Sequence, residues 1–420
     1  MKVILDIEAN GLEKPTEIWV VCCKDVDTGE VHVFRNLTQD QEEKEHFLEF
    51  AKSVDTWIGH HIIGYDLPVL SNLLNLSFDN LDVTSVVDTL VISKLVNYSR
   101  KGHSVEDYGI EFGKPKGDNK GVDFFKKYSK ELEDYCIQDV EIGYEVYRSF
   151  SSILSNPSWH VSINLEQNFQ RVCNALHNNG FYFNSTKAAS LLENVVRDLS
   201  ELDKEILDAF PPRLKLIREV CPKLTKFNTL HRGDFRWVED GDLSEYNGGP
   251  FCRCQWLPFN PASPKQIVGV LNTAGWKPTD KTKTHTETLQ DINRLKFRRR
   301  TPEQEVELKA LEDKLVDLSV TGWKVNEENL STLPEKAPKP ARLLAKRILL
   351  ESRRRTLTEW TDLCEPDGRI RGKFYGIGAW THRMSHQKPN SGNIPLEYNA
   401  HDGSKKLLGG EMRALWRAPP

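Results

Sequence analysis

Hydrophobic and polar positions divide the chain into two kinds of pattern. In the first hundred residues the apolar runs are short and close together: Val3-Ile4-Leu5, Ile18–Cys23, Val31–Phe34 and Thr56–Gly59. Runs of that length, bounded by turn signals such as Asp27-Thr-Gly-Glu30, predict strands, the first three as a meander. Residues 38–53 predict a helix with Phe47, Leu48 and Ala51 inward. Asp66 opens another helix, whose next turns, Leu67–Leu74, are apolar. Val87–Leu95 predicts a strand-to-helix passage, and Ser104–Gly109 a short helix closed by its glycine. From Lys130 onward, Leu132, Cys136, Ile137 and Val140 recur at helical spacing. This part reads as α/β, a mixed sheet flanked by helices.

Beyond residue 150 the period lengthens. Ser151–Trp159, with its Asn-Pro-Ser, predicts a linker. Ile163–His177 and Ser185–Phe210 predict long amphipathic helices on either side of a short apolar step, Phe181–Phe183. Residues 211–258 lose the period and predict a loop-rich insertion. Ser263-Pro264 then gives a helix start, with serine as the cap and proline in the first turn. Pro302–Leu318 predicts a charged helix and Pro338–Cys364 a long one. The latter carries Arg342, Lys346, Arg347 and Arg353 to Arg355 as a basic stripe, which suits either a solvated face or phosphate contact.

Length and composition change this picture little. The 420 residues allow two or three domains, with 38% hydrophobic and 28% charged positions. No apolar run reaches the length of a membrane span, and eight cysteines are too sparse for a disulfide scaffold, so a reducing, cytoplasmic setting is expected. Cys252-x-Cys254 with Cys221 and His231 is a conceivable zinc set, although its spacing is not the usual one. The net charge of −4 averages unequal parts: acids crowd residues 38–55 and 129–145, and bases cluster at 296–300, 336–355 and 369–383.

Candidate chemistry begins at Asp6 and Glu8. Strand side chains alternate, so both carboxylates leave the same side, and two anions that close call for a cation between them. Oxygen ligands favour a hard ion such as Mg²⁺ or Mn²⁺. Taken alone, Asp-x-Glu reads first as a strand end running into the Asn10-Gly11 turn, and Asp66 suits a helix cap. Tyr135 and Asp139, four apart, share one helix face.

Taken in order, Asp6-x-Glu8, Tyr65-Asp66 and Tyr135-x₃-Asp139 resemble the three motifs of the DEDD exonuclease superfamily, with the tyrosine form of the third. The resemblance implies a ribonuclease H-like fold and 3′→5′ hydrolysis of phosphodiesters. Asp6, Glu8, Asp66 and Asp139 would hold two divalent ions, Mg²⁺ or Mn²⁺, and Tyr135 would orient the attacking water. Where the family usually has asparagine, five residues before the second-motif aspartate, this chain has His61, a substrate contact by the same analogy.

Two later stretches resemble family A DNA polymerases of the bacteriophage type. They are Phe259-Asn-Pro-Ala-Ser-Pro-Lys-Gln-Ile267 and the run from Trp380 through Arg383, Ser385, Lys388, Asn390 and Asn393 to Pro395, with Glu411–Trp416 as a third, shorter likeness. This resemblance implies a nuclease domain over 1–150, a linker and first thumb or palm helices over 151–210, and the insertion at 211–258. A mainly α thumb over 259–364 and the start of a palm over 365–420 would follow. Arg383, Ser385, Lys388, Asn390 and Asn393 would hold a DNA primer-template. The family's polymerase aspartates would lie past Pro420, so the expected protein proofreads and binds duplex. It would need a second polypeptide, or a missing C-terminal part, to add nucleotides. A host processivity factor at the insertion is a further expected partner. The rival expectations are a stand-alone nuclease trimming RNA or DNA 3′ ends, and a non-catalytic subunit that holds DNA in a split polymerase.

Overall fold

A computed structural model describes the chain except for residues 77–84, 116–122, 237–242, 244–245, 247, 298–300, 399–402, 404 and 419–420. It divides into two compact units, each discontinuous in sequence. The first comprises Met1–Asn184, Leu363–Ile394 and Trp416–Pro420; the second comprises Ser185–Asp362 and Pro395–Leu415.

The first unit is built on β1 (Lys2–Ala9), with β2 (Ile18–Asp25), β3 (Val31–Arg35), α1 (Gln41–Lys52), β4 (Thr56–Gly59) and α2 (Asp66–Leu74) following. Next come β5 (Val86–Asp88), α3 (Thr89–Val96), α4 (Val105–Glu111) and α5 (Lys130–Ser149). The sheet order is β3-β2-β1-β4-β5, with β2 and β3 antiparallel to their neighbours and β4 and β5 parallel. Central β1 is covered on both faces. Val3, Leu5 and Ile7 pack with Phe47 of α1 and with Leu67 and Leu70 of α2, while Ile4 meets Leu132, Cys136 and Val140 of α5. Gly143 lets α5 come close, since a Cβ there would sit 3.1 Å from Ile4 Cγ2.

The start of α5 is pinned by Glu133, which is almost fully buried. Its carboxylate accepts from Arg35 Nε (2.7 Å) and Nη2 (2.9 Å), Tyr128 Oη (2.6 Å) and Lys130 Nζ (2.7 Å). The Arg35 hydrogen bonds above all hold its carboxyl down at about 2. At α4 the helix runs past Gly109 to Glu111, and the left-handed residue beyond it is Gly113.

The expected linker at 151–159 is helical instead: α6 (Ser151–Leu154) and then α7 (Pro157–Asn179). Its Asn-Pro-Ser is a helix start, because the Asn156 side chain accepts from Ser158 N–H at 3.0 Å and Pro157 occupies the first turn. The boundary expected at 150 falls at the junction of α5 and α6, inside the first unit. After α7, β6 (Phe181–Tyr182) pairs with a strand nearly two hundred residues later, described below.

The second unit is mainly helical. It holds α8 (Ser185–Ala209), a hairpin of β7 (Arg213–Val220) and β8 (Phe251–Leu257), then α9 (Pro264–Thr273), α10 (Lys283–Lys296), α11 (Pro302–Thr321), α12 (Glu327–Leu330) and α13 (Lys339–Leu363, all but its last residue). The expected loop at 211–258 therefore contains an antiparallel pair, Arg213↔Leu257 through Val220↔Phe251. Ser263 stands at the cap position of α9 without a side-chain hydrogen bond, contrary to its expected capping role. Asn329, fully buried, ties the core together: its amide accepts from the N–H groups of Thr279 and Asp280 and donates to the carbonyls of Asp280 and Lys324.

The first unit resumes with β9 (Arg369–Ile370), β10 (Lys373–Tyr375) and β11 (Ser385–Gln387). β9 pairs with β6, and β10 with β11. In the second unit, α14 (Gly409–Arg413) is the last helix among the described residues. No helix among them is long and apolar enough to cross a membrane.

Candidate metal centre

Asp6 and Glu8 lie on the face of β1 that also carries Ile4, the face α5 covers. The helix brings Asp139 to them. One carboxylate oxygen each from Asp6, Glu8 and Asp139 all lie within 4.8 Å of one another, with Glu8 and Asp139 buried and Asp6 half-buried. The Cys136 thiol, one turn before Val140, donates to the Asp6 carbonyl at 3.4 Å. Tyr135 is half-buried one turn before Asp139, edge-on to the rings of Phe124 (5.7 Å) and Phe125 (6.2 Å).

Asp66 is not within that group of three. It enters from α2, on the other face of the sheet, and accepts a hydrogen bond from the backbone of Ile7, the residue between the two acids of β1. Burial pushes its carboxyl well up, and neighbouring Asp88 adds to the shift. Burial likewise raises the Tyr65 phenol, helped by Asp66, Glu8 and Asp6, while its hydroxyl donates to Gly11 O at 2.8 Å.

This donor set fits a hard divalent cation. Ion–oxygen bonds of about 2.0–2.6 Å let two ligand atoms on one ion stand about twice that far apart, so three carboxylate oxygens within 4.8 Å match one ion. A buried carboxyl driven up by desolvation is the further sign, because a nearby cation would reverse the shift. The alternative zinc set is not assembled: among the described residues, the three acids are the only such group, and Cys221, Cys252 and Cys254 are exposed thiols.

A residue outside the three motifs, noted in the sequence only as part of the intervening Asp88-Thr89-Leu90, governs the loop before Asp66. Asp88 is fully buried, and its carboxylate accepts from four backbone N–H groups: His61 (3.1 Å), Ile63 (3.1 Å), Leu90 (3.0 Å) and Val91 (3.2 Å). Its place at the strand-to-helix passage, where it caps α3, was the available signal. His61 itself adopts a left-handed backbone, φ +67°, a conformation in which asparagine and histidine are enriched. Its imidazole lines a crevice with Lys94, Glu166, Gln170 and Tyr375, and burial lowers its basicity against the pull of Asp88.

The expected duplex contacts lie on and after the β10–β11 hairpin. Arg383, Lys388, Asn390 and Asn393 are exposed, and Ser385 is half-buried against Gly378. Lys388 and Lys373 both pair with Glu13, at 3.0 and 3.2 Å, in the loop that follows β1. The basic stripe on α13 is largely engaged within the protein. Arg347 pairs with Asp203, Arg353 is buried against Glu327 and the Leu407 carbonyl, and Arg354 and Arg355 share Glu351.

Comparison with known proteins adds three findings. Residues 3–147 match the RNase H superfamily. Along 99% of its length the chain is similar to the DNA-directed DNA polymerases of Enterobacteria phage T3 (23% identical) and Escherichia phage T7 (22% identical), and it spans 65% of the length of each. Its fold resembles the POL domain of Pol1 from M. smegmatis, solved in complex with DNA primer-template and dNTP, at a TM-score of 0.55 and 13% identity over 99% of this chain and 54% of that one.

Proposed function

From the premise that this is an RNase H-superfamily domain at the head of a chain homologous along its length to phage DNA polymerases, we propose a 3′→5′ proofreading exonuclease joined to the duplex-holding part of a family A polymerase. The observation that carries the reading is the convergence of Asp6, Glu8 and Asp139, with Asp66 hydrogen-bonded to the residue between the first two.

In this proposal the four acids bind two ions, Mg²⁺ or Mn²⁺. Divalent cations so held would supply an acidified water and compensate the charge gathering on the phosphate during displacement. The chain's own groups do the rest. Asp6, Glu8 and Asp139 are the side chains that would hold these cations, with Asp66 beside them. Tyr135 orients the attacking water by hydrogen bonding. His61 contacts the strand entering the site, and Arg383, Ser385, Lys388, Asn390 and Asn393 hold primer-template. Nucleotide addition is assigned to a palm and fingers on a second chain or a C-terminal continuation, and the protein acts in the host cytoplasm.

The test is a 5′-labelled primer–template incubated with the purified chain and Mg²⁺. Stepwise shortening is expected, with loss of about 10²-fold or more in the Asp6→Ala and Asp139→Ala proteins. Undiminished cleavage in either variant refutes the assignment. Faster trimming of RNA than of DNA 3′ ends would favour the stand-alone trimming nuclease instead.

A further inference from the structure

The nuclease motifs account for Asp66 but not for what holds the loop before it. Residues 60–65 have no regular structure, include the left-handed His61, and decide where the first turn of α2 points. Asp88 grips this loop from one side through the His61 and Ile63 amides. Helix α7 grips it from the other. Gln167 Oε1 accepts from the backbone N–H of Asp88 at 2.6 Å, and the Asn174 amide donates to the Ile63 carbonyl. Gln170 bridges onward, donating to Asn174 Oδ1 at 3.2 Å while its oxygen accepts from Gly376 N–H at 3.2 Å. His177 Nδ1 reaches the Gly372 carbonyl at 2.9 Å.

Residues 167, 170, 174 and 177 recur at alternating spacings of three and four, so they form one stripe on the helix. Gln167 and Gln170 are only 2% and 6% exposed, whereas Val161, Leu165 and Val172 of the same helix face solvent. This helix gives much of its buried side to hydrogen bonds instead of apolar packing. Buried amides are costly unless paired, and a fully paired set tolerates only one register. Gly376 enforces that register by close approach: a Cβ there would stand 3.3 Å from the Phe169 ring.

We infer that Gln167 and Asn174 are positioning residues of the nuclease centre, which hold the Asp88 cap and the Ile63 carbonyl so that Asp66 stands beside Ile7. Gln170 and His177 anchor the same helix to the segment 372–376. The inference rests on the nuclease reading above, and its test is chosen to fail separately from it. In the full chain, Gln167→Met keeps the volume and removes the acceptor, and Asn174→Leu removes the donor. Each variant is expected to speed hydrogen exchange at the amides of 61–66 and to weaken Mn²⁺ binding, measured by calorimetry, about tenfold. Each should also lower kcat for 3′-end hydrolysis while leaving KM for the oligonucleotide unchanged.

Folded variants with unaltered exchange at 61–66 and unaltered Mn²⁺ affinity would overturn the inference. So would exchange at 61 and 63 in the unmodified chain as fast as at an exposed loop, a measurement that needs no variant to fold. Failure of the unmodified chain to cut DNA would refute the nuclease reading and leave the exchange result standing.

Discussion

Glu133 shows at the residue scale how a single acid can set the pH response of a whole element. Its carboxyl is an acceptor for Arg35, Tyr128 and Lys130 at once, and the folded state holds it at about 2 against an ordinary value of 4.5. A depressed carboxylate adds stability that is complete above the unfolded value and fades as pH falls through the folded one. Acid titration of unfolding should therefore show a loss between about pH 4.5 and pH 2 that Glu133→Gln abolishes, with the variant less stable at neutral pH by about 1–3 kcal/mol. Urea melts at pH 7, 4 and 3 check both, and parallel curves for the two proteins would refute the assignment. His61 teaches a different lesson: its backbone is left-handed, φ +67°, a conformation that histidine tolerates better than most residues, so the position carries a backbone demand of its own.

At the scale of elements, the decisive contact is α5 on β1. Gly143 stands opposite Ile4, two residues before Asp6 on the same strand face, so a larger residue at 143 pushes the helix that carries Asp139 away from the strand that carries Asp6 and Glu8. Gly143→Val should cost about 1–3 kcal/mol by overpacking and depress cleavage more than stability alone explains. Comparing urea midpoints with cleavage rates well below the midpoint decides it; full cleavage in a destabilised variant would free the centre from this contact. Strands β1 to β5 and α5 were legible in sequence because apolar runs and helical spacing there coincide with burial. The convergence of Asp6, Glu8 and Asp139 follows strand alternation and helical phase, but the sequence singled these acids out only by motif resemblance, since each segment alone suits a strand end or a solvated helix face. Helix α7 was not so legible: its buried stripe is polar and some of its exposed positions apolar, so its pattern hid its partners, and its Asn-Pro start imitated a loop. Helix α10 and the β7–β8 hairpin escaped too, because charge and irregular spacing blurred their periods. The role of Asp88 depends on backbone amides from two segments, which no single-sequence period encodes.

For the molecule as a whole, the proposed duplex contact should be electrostatically separable from the proposed hydrolysis. Lys388 and Arg383 are exposed, and the Lys388–Glu13 pair is solvated and weak, so phosphate can replace Glu13 at little cost. Arg383→Ala and Lys388→Ala should each reduce the slope of log affinity against log salt by about 0.9 per lost phosphate contact on duplex DNA. Fluorescence anisotropy across a salt series measures it, and an unchanged slope removes these residues from the duplex surface.

The pairing of β6 with β9 also has a consequence in time. A ribosome emits Phe181 and Tyr182 long before Arg369 and Ile370, on the order of 10 s at about 5–20 residues per second. Throughout that interval the nascent chain carries an unpaired strand, and the amide of Gln170 waits for Gly376. The sheet that bears the acids can close early, but the partners of helix α7 at 372–376 arrive only after residues 185–362 have been synthesised. Maturation of this protein is therefore ordered by its own topology: the scaffold of the acidic centre comes first and its full alignment last.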